Sequence, residues 1–225
     1  MTTFSRIFIN PQRRGGRKLL TSRQAMHAAV RAAFPPDLAK NTGRILWRVD
    51  SEARRHTLYI VAPERPDLSH LVEQAGWSTR PGDIVDYTRM LDSVRAGAEF
   101  RFRFTGNPVH RTATEDGKRG QLHPHVTPAQ QVAWLTSKGE SNGFALRSTG
   151  SDDTVSSTIV SRREDARFAR GHGSARSTVT LRIAQFDGSL TVTDALAMRH
   201  ALTHGIGRGK AYGCGLMTLA SERPD

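Results

Sequence analysis

The segment 204–216, HGIGRGKAYGCGL, concentrates glycine and positive charge near the end of the chain. Arg208 and Lys210 stand among glycines, which have no side chain to shield their backbone N–H groups. Accessible N–H groups beside cations are what a phosphate-binding loop requires. The segment is therefore a candidate for phosphate chemistry, and its glycines are Gly205, Gly207, Gly209, Gly213 and Gly215.

Two familiar phosphate-binding motifs do not fit this loop. A Walker loop needs glycine where His204 stands and a hydroxyl residue where Ala211 stands. A dinucleotide fingerprint needs its third glycine at Lys210 and opens a helix, whereas this loop follows a predicted one. Two interpretations stay open. The backbone and its cations could approach a nucleic-acid phosphate, or the glycines could serve a helix C-cap and strand-entry turn that need positive φ.

The spacing of histidine and cysteine predicts no metal site. His110, His123 and His125 lie near one another in sequence, but the chain has no H-E-x-x-H motif. Cys214 is the single cysteine, so neither a thiolate zinc site nor an internal disulfide can form. Its position between glycines before an apolar strand predicts a packed, unreactive thiol. We expect no metal and no small-molecule cofactor.

The charge balance predicts a polyanionic partner. The chain has 33 Lys and Arg against 21 Asp and Glu, a formal net charge of +12. Nucleic acid is the commonest polyanion that binds such a surface. The N-terminal residues lack the apolar stretch of a signal peptide, and no apolar run is long enough to span a membrane. We therefore expect a cytoplasmic protein with no membrane partner.

The elements that must position these residues follow from local patterns. In the first half, alternation of apolar residues predicts strands, and good helix formers after Thr21 or Ser22 predict a helix ended by Pro35. The segment 11–18, PQRRGGRK, is predicted to be a basic loop. The predicted order is β-α-β-β-α-β, with strands at 4–10, 45–50, 56–62 and 99–110 and helices at 23–34 and 67–74.

The second half repeats this pattern after a linker without periodicity. Thr127 and Pro128 start a helix, Asp194 caps another that Gly205 ends, and Asp187 with Gly188 suggests a tight turn. The predicted fold class is α+β, with tandem ferredoxin-like domains. The predicted boundaries are 1–112 for the N-terminal domain, 113–126 for the linker and 127–225 for the C-terminal domain.

Several segments together resemble one protein family. The predicted helix followed by GIGRGKAYGCGL and a short strand, the strand FRFRFTGNPVHR and the helix TPAQQVAWL occur in matching order. ILWRVD and FDGSLTVTDALA also match. The pattern is similar to the type I-E CRISPR repeat-RNA endoribonucleases, the CasE family, and covers nearly the whole chain. The resemblance implies tandem ferredoxin-like (RAMP-type) domains, cleavage of a CRISPR repeat RNA hairpin, and retention of the product alongside other Cascade subunits.

The resemblance also implies roles for residues. The family's catalytic histidine lies in a Met-His pair of the first helix, which here is Met26-His27. Cleavage there needs no metal: a 2′-hydroxyl attacks the adjacent phosphate and leaves a 2′,3′-cyclic phosphate and a 5′-hydroxyl. Where a relative has an assisting tyrosine, this chain has Gln24, which cannot transfer a proton. Tyr212, Ser22 and Arg23 stay open as candidates for the second catalytic group. The residues expected to bind RNA are Arg13, Arg14, Arg17, Lys18, Arg23, Arg162, Arg163, Arg167, Arg170, Arg208 and Lys210.

Other functions stay open at this stage. Because Gln24 replaces the tyrosine, the chain could be a catalytically weak or inactive RNA-hairpin-binding subunit of the same ribonucleoprotein. A metal-dependent nuclease is a further alternative, which loss of activity on chelation would support.

Overall fold

A four-stranded antiparallel sheet forms the N-terminal lobe in the computed structural model, which describes residues 1–36, 43–112, 120–149, 155–170 and 177–221. Its strands lie in the order β2-β3-β1-β4, which is the ferredoxin-like arrangement. Helices α1 and α2 follow β1, α3 precedes β4, and α4 comes after it. The elements are β1 (Thr3–Ile9), α1 (Arg14–Thr21), α2 (Arg23–Arg31), β2 (Leu46–Ser51), β3 (His56–Ala62), α3 (Ser69–Ala75), β4 (Asp83–Asp86) and α4 (Thr88–Ser93).

A second antiparallel sheet forms the C-terminal lobe, in the order β11-β12-β5-β13 with β8 pairing on β12. Its elements repeat the β-α-β-β-α-β order, so the chain carries two ferredoxin-like units in tandem. The elements are β5 (Glu99–Gly106), β6 (Val109–Arg111), β7 (Leu122–Pro124), α5 (Pro128–Asn142), β8 (Phe144–Leu146), β9 (Ser148–Thr149), β10 (Val155–Ser156), β11 (Ile159–Arg170), β12 (Ser177–Val192), α6 (Ala195–His204) and β13 (Met217–Ser221).

The strand β5 belongs to a different sheet from the one predicted. Sequence analysis assigned 99–110 to the N-terminal domain, but β5 pairs with β12 and β13. Phe100, Phe102 and Phe104 are buried in the C-terminal core, while β4 takes the place beside β1. The assignment of this strand was wrong because a period of two identifies a strand without identifying its partner. The boundary at 113–126 stays a prediction, and 113–119 lie outside the described residues.

Two local predictions were also wrong. The predicted basic loop 11–18 contains the start of α1, because Gly15 and Gly16 let this helix lie directly against the backbone of Gln74 and Asn10. The predicted turn at Asp187 is instead part of β12, where Gly188 leaves room for Thr158.

The predicted helix caps are confirmed. The Ser22 side chain accepts a hydrogen bond from the Ala25 N–H at 3.2 Å. Thr127 and Gln130 form a reciprocal capping box before Pro128, and Asp194 caps α6. Helix α2 begins at Arg23, as predicted, and its residues Met26 and Val30 are buried against the first sheet. This orientation leaves His27 half-buried beside them.

A buried arginine joins the two lobes. Arg48 of β2 is 2% exposed and binds Asp50 through two nitrogens, at 2.6 and 3.0 Å. It also donates to the carbonyls of Arg103 (2.7 Å) and Leu216 (3.2 Å) and to the Thr218 hydroxyl (2.8 Å), all in the C-terminal lobe. We call Arg48, Asp50, Arg103 and Thr218 the interlobe network. It satisfies a charge that would otherwise be costly to bury.

We expect Arg48→Met to lower the free energy of unfolding by about 3–5 kcal/mol, because Asp50 would stay buried with only Arg103 beside it. Urea denaturation measures this loss. The matched control is Arg55→Met, which removes an exposed pair with Glu52 and should cost at most about 1 kcal/mol. Equal losses in the two variants would contradict the structural role of the interlobe network.

Candidate nucleic-acid interface and catalytic site

The glycine-rich loop, residues 205–215, is an ordered turn between α6 and β13. Gly205 ends α6, and the Ile206 N–H donates to the Gly215 carbonyl at 3.0 Å. The Gly215 N–H donates in turn to Thr105 of β5 at 2.7 Å. All five predicted glycines have positive φ, from +76° to +96°. This is the backbone that the turn interpretation requires, and its phosphate-binding role stays a prediction.

The loop packs on β2 of the other lobe. A Cβ atom added to Gly205 would lie 2.8 Å from Leu46 Cδ2, and one added to Gly213 would lie 2.6 Å from Trp47 Cζ3. A Cβ atom added to Gly207 would lie 3.2 Å from Cζ2 of Trp134, which belongs to α5 of the same lobe. Gly205 and Gly213 therefore allow close approach between the lobes as well as the turn conformation.

His27 lies against the glycine-rich loop. Its ring centroid is 6.1 Å from that of Tyr212, with the two rings tilted by 57°. Tyr212 belongs to a single 3₁₀ turn, Lys210–Tyr212, inside the loop. The structure thus brings together the predicted catalytic histidine and the loop, although the sequence separates them by most of the chain.

Arg23 is held by an acidic partner from the C-terminal lobe. Its Nη2 lies 2.9 Å from Glu164 Oε2 of β11, and its Nε lies 3.3 Å from Oε1. Its remaining Nη1 donates to the Tyr212 carbonyl at 2.8 Å. Sequence analysis predicted Arg23 as an RNA contact and gave Glu164 no role. The sequence signal that could have identified this partner is the acidic Glu164 within the arginine-rich segment 162–170.

The arginines near α1 fall into two groups. Arg13 donates to the carbonyls of Val72 and Glu73, and Arg17 donates to the Gln12 carbonyl at 2.7 Å. These bonds tie the two arginines to backbone, although Arg17 is exposed. Arg14 and Lys18 are exposed too, and their side chains have no hydrogen bond among the described residues.

The arginines of β11 lie on a long hairpin with β12. Arg162, Arg163 and Arg167 are exposed. Arg162 also approaches Glu164 at 3.5 Å, and Arg163 donates to the Val126 carbonyl at 3.4 Å. The backbone of Arg170 ends the strand, and its side chain lies outside the described part of the structure.

The two cations of the glycine-rich loop have different surroundings. Arg208 is exposed, whereas the Lys210 ammonium donates to the His204 carbonyl at the end of α6 at 2.7 Å. Burial lowers the pKa of Lys210, and the nearby Arg44 lowers it further. Lys210 therefore stabilises the C-terminal end of the helix, where a cation is favourable.

His110, His123 and His125 lie close together but do not form a metal-binding group among the described residues. The His110 ring centroid lies 4.7 Å from that of His125 and 5.9 Å from that of His123. Burial lowers the pKa of His125, and His110 contributes in the same direction. Across the described ranges, no three His, Cys, Asp or Glu side chains are grouped to hold an ion.

Cys214 is a packed residue of the glycine-rich loop. It is 0% exposed and lies in a small core with Leu181 and Ile183. Burial raises the pKa of its thiol to about 12, so the thiolate is not available near neutral pH.

Among the described helices, none is both long and apolar enough to cross a bilayer.

Comparisons with known proteins agree over almost the whole chain. The family model described as "CRISPR associated protein" matches residues 4–221. The CRISPR-associated endoribonuclease Cse3 of Thermus thermophilus is 28% identical over 218 residues, which cover 96% of this chain and 98% of that protein. The CRISPR system Cascade subunit CasE of Escherichia coli is 26% identical over 179 residues, covering 75% and 82%. A solved structure of Cse3 bound to a 19-nucleotide RNA has a TM-score of 0.79 at 25% identity, covering 97% of this chain and 99% of that one.

The packing of the glycine-rich loop on Trp47 can be tested by alanine substitutions at two glycines that have nearly the same φ. Gly213 has φ +82° and faces Trp47, whereas Gly97 has φ +81° and nothing within 4 Å of an added Cβ. We expect Gly97→Ala to cost about 1–2 kcal/mol from backbone strain alone. Gly213→Ala should cost about 1–3 kcal/mol more, because the methyl group would collide with the indole. Urea denaturation measures both, and equal costs would rule out the close packing on Trp47.

Proposed function

Because this chain belongs to the CRISPR associated protein family, we propose that it is an endoribonuclease that cleaves the hairpin of a CRISPR repeat transcript. The product stays bound, and the protein serves as a subunit of Cascade. The names of the two relatives, an endoribonuclease and a Cascade subunit, support both parts. The fold similarity over nearly the full lengths of this chain and of the RNA-bound structure supports the proposal that both lobes take part in RNA binding.

The observation that carries the proposal is the place of His27. It lies on α2, against the glycine-rich loop, where Arg23 of the N-terminal lobe meets Glu164 of the C-terminal lobe. An imidazole titrates near neutral pH and can therefore take or give a proton in a reaction at that pH. The position of His27 at the junction of two lobes that both carry exposed arginines supports the proposal that it acts on a bound phosphodiester.

The proposed reaction needs no metal ion. The 2′-hydroxyl loses its proton while its oxygen bonds to phosphorus, and the bond to the 5′ oxygen breaks as that oxygen gains a proton. The products are a 2′,3′-cyclic phosphate and a 5′-hydroxyl. We assign one of the two proton transfers to His27. Cationic side chains around it stabilise the added charge on the phosphorane.

RNA binding is assigned to exposed cations on both lobes. An RNA hairpin offers side chains mainly its phosphates and its shape, so positive charge dominates the interaction. Arg14 and Lys18 of α1, Arg167 of β11 and Arg208 of the glycine-rich loop are exposed and have no side-chain hydrogen bond among the described residues. They are the members of the predicted set that we propose make direct phosphate contacts.

A catalytically inactive RNA-hairpin-binding subunit is the second candidate. The observation that favours it is Gln24, whose amide oxygen is buried without a hydrogen-bond partner among the described residues. An amide orients other groups but transfers no proton. Under this alternative the protein binds the repeat hairpin and leaves it uncut.

We expect His27→Ala to slow cleavage of the cognate repeat RNA by at least about 100-fold, because a proton-transfer group is lost. Hairpin binding should stay unchanged. The measurement is a denaturing gel of end-labelled RNA in the presence of EDTA, with His56→Ala as the control histidine variant. Uncut RNA with the wild-type protein would favour the binding-only candidate. Cleavage only in the absence of EDTA would instead indicate a metal-dependent nuclease.

We expect RNA affinity to fall steeply between low and moderate salt, because bound phosphates release counterions. Arg167→Ala should weaken binding and reduce the slope of log affinity against log salt by about one. The control is Arg55→Ala, at a turn of the N-terminal sheet, which should leave the slope unchanged. A flat salt dependence in the wild-type protein would exclude the arginine surfaces as the RNA face.

A further inference from the structure

The Tyr212 side chain is enclosed from two sides. On one side its ring faces His27, with the centroids 6.1 Å apart. On the other side Phe168 of β11 meets it edge-on, with centroids 4.7 Å apart and the planes at 65°. Edge-to-face aromatic contacts have a preferred geometry, so the ring of Tyr212 is held in place by Phe168.

The backbone of Tyr212 is held as well. Its carbonyl accepts a hydrogen bond from Arg23 at 2.8 Å, and its N–H donates to the Gly209 carbonyl at 2.8 Å. Arg23 is itself fixed by two contacts with Glu164. The arginine lies on the same helix as His27, one turn earlier, so α2 holds both the imidazole and the main chain of the tyrosine beside it.

We propose that Tyr212 is a positioning residue for His27, whose ring sets the orientation of the imidazole toward the scissile phosphate. This inference rests on the proposed endoribonuclease function. Phe168 supports the ring of Tyr212, and the Arg23–Glu164 pair supports its backbone. Tyr212 acts through the imidazole and makes no assigned contact with the RNA.

A histidine on a helix surface has freedom about χ1 and χ2, and a small misplacement of a proton-transfer group slows a reaction substantially. An adjacent rigid ring removes that freedom at low entropic cost. Gln24, three residues before His27 in the sequence, has no ring. An aromatic neighbour of His27, Tyr212, comes from a loop of the other lobe.

The test compares three substitutions in the full-length protein. Tyr212→Leu removes the ring and should slow single-turnover cleavage by about 10- to 100-fold with RNA affinity unchanged. Tyr212→Phe keeps the ring and should cleave within about threefold of the wild-type rate. Phe8→Leu is the control, since it removes another half-buried aromatic ring, which packs against Arg6 at 5.3 Å and Arg80 at 5.5 Å, and should leave cleavage unchanged.

Phe168→Leu gives an independent route if Tyr212→Leu folds poorly. This variant keeps both His27 and Tyr212 but removes the aromatic ring that packs on Tyr212. Cleavage should therefore slow by roughly 3- to 10-fold. NMR signals of the His27 ring protons report the contact without any cleavage. They should shift in Tyr212→Leu and stay near their wild-type values in Tyr212→Phe and Phe8→Leu.

Each failure has a separate meaning. Wild-type protein that does not cut the repeat rejects the proposed function, and the positioning role with it. Wild-type cleavage together with normal cleavage by Tyr212→Leu rejects the positioning role alone. An equal loss of cleavage rate in Tyr212→Phe also rejects it, because the hydroxyl group and not the ring would then carry the function. Unchanged His27 NMR signals in Tyr212→Leu reject it as well.

Discussion

The buried guanidinium of Arg48 is the contact on which the arrangement of the two lobes depends. Its Asp50 partner lies on the same strand, while two carbonyls and a hydroxyl come from the C-terminal lobe. A charge this deeply buried is stable only when its N–H groups have acceptors. Separating the lobes would remove the acceptors that the C-terminal lobe provides. The network therefore fixes the position of β2 against β5 and β13.

The same strand also seats the glycine-rich loop. Leu46 faces Gly205, Trp47 faces Gly213, and Arg48 binds the carbonyl of Leu216 just beyond the loop. Three consecutive residues of β2 thus hold three successive points of the segment that carries Tyr212. Since α2 belongs to the same lobe as β2, the spacing between His27 and Tyr212 follows from this edge strand. The relative positions of the residues proposed to act on RNA are therefore set by the packing of β2 on the glycine-rich loop, which includes no proposed RNA contact.

The charge of the surface results from the way acidic residues are used. Asp50, Glu164 and Asp187 each bind an arginine at the contact between elements, and they are half-buried or buried. Each of these carboxylates is neutralised by an arginine that is itself held in the pair. The net charge of +12 therefore stays with the other charged residues, among which Arg167 and Arg208 are exposed.

Local chemistry explains which features the sequence could predict. Capping residues such as Thr127 and Asp194 act within one turn, and the alternation of Phe and Arg in β5 acts within one strand, so both were predicted correctly. The sheet to which β5 belongs depends on partners more than 70 residues away, Phe186 among them. In α1 the two glycines suggested a loop, but they permit close packing on Asn10 and Gln74. The carboxylate that binds Arg23 was hidden because Glu164 is 141 residues away from it.

The two faces of β11 have different surroundings. Side chains alternate across a strand, so Glu164, Ala166 and Phe168 face inward while Arg163 and Arg167 face solvent. The inward face holds Arg23 through Glu164 and Tyr212 through Phe168. Under the proposed function, a phosphate bound by Arg167 on the outward face would not compete for the side chains that hold Arg23 and Tyr212. Under the proposed function, the strand that binds the hairpin is therefore also the strand that keeps His27 and Tyr212 together.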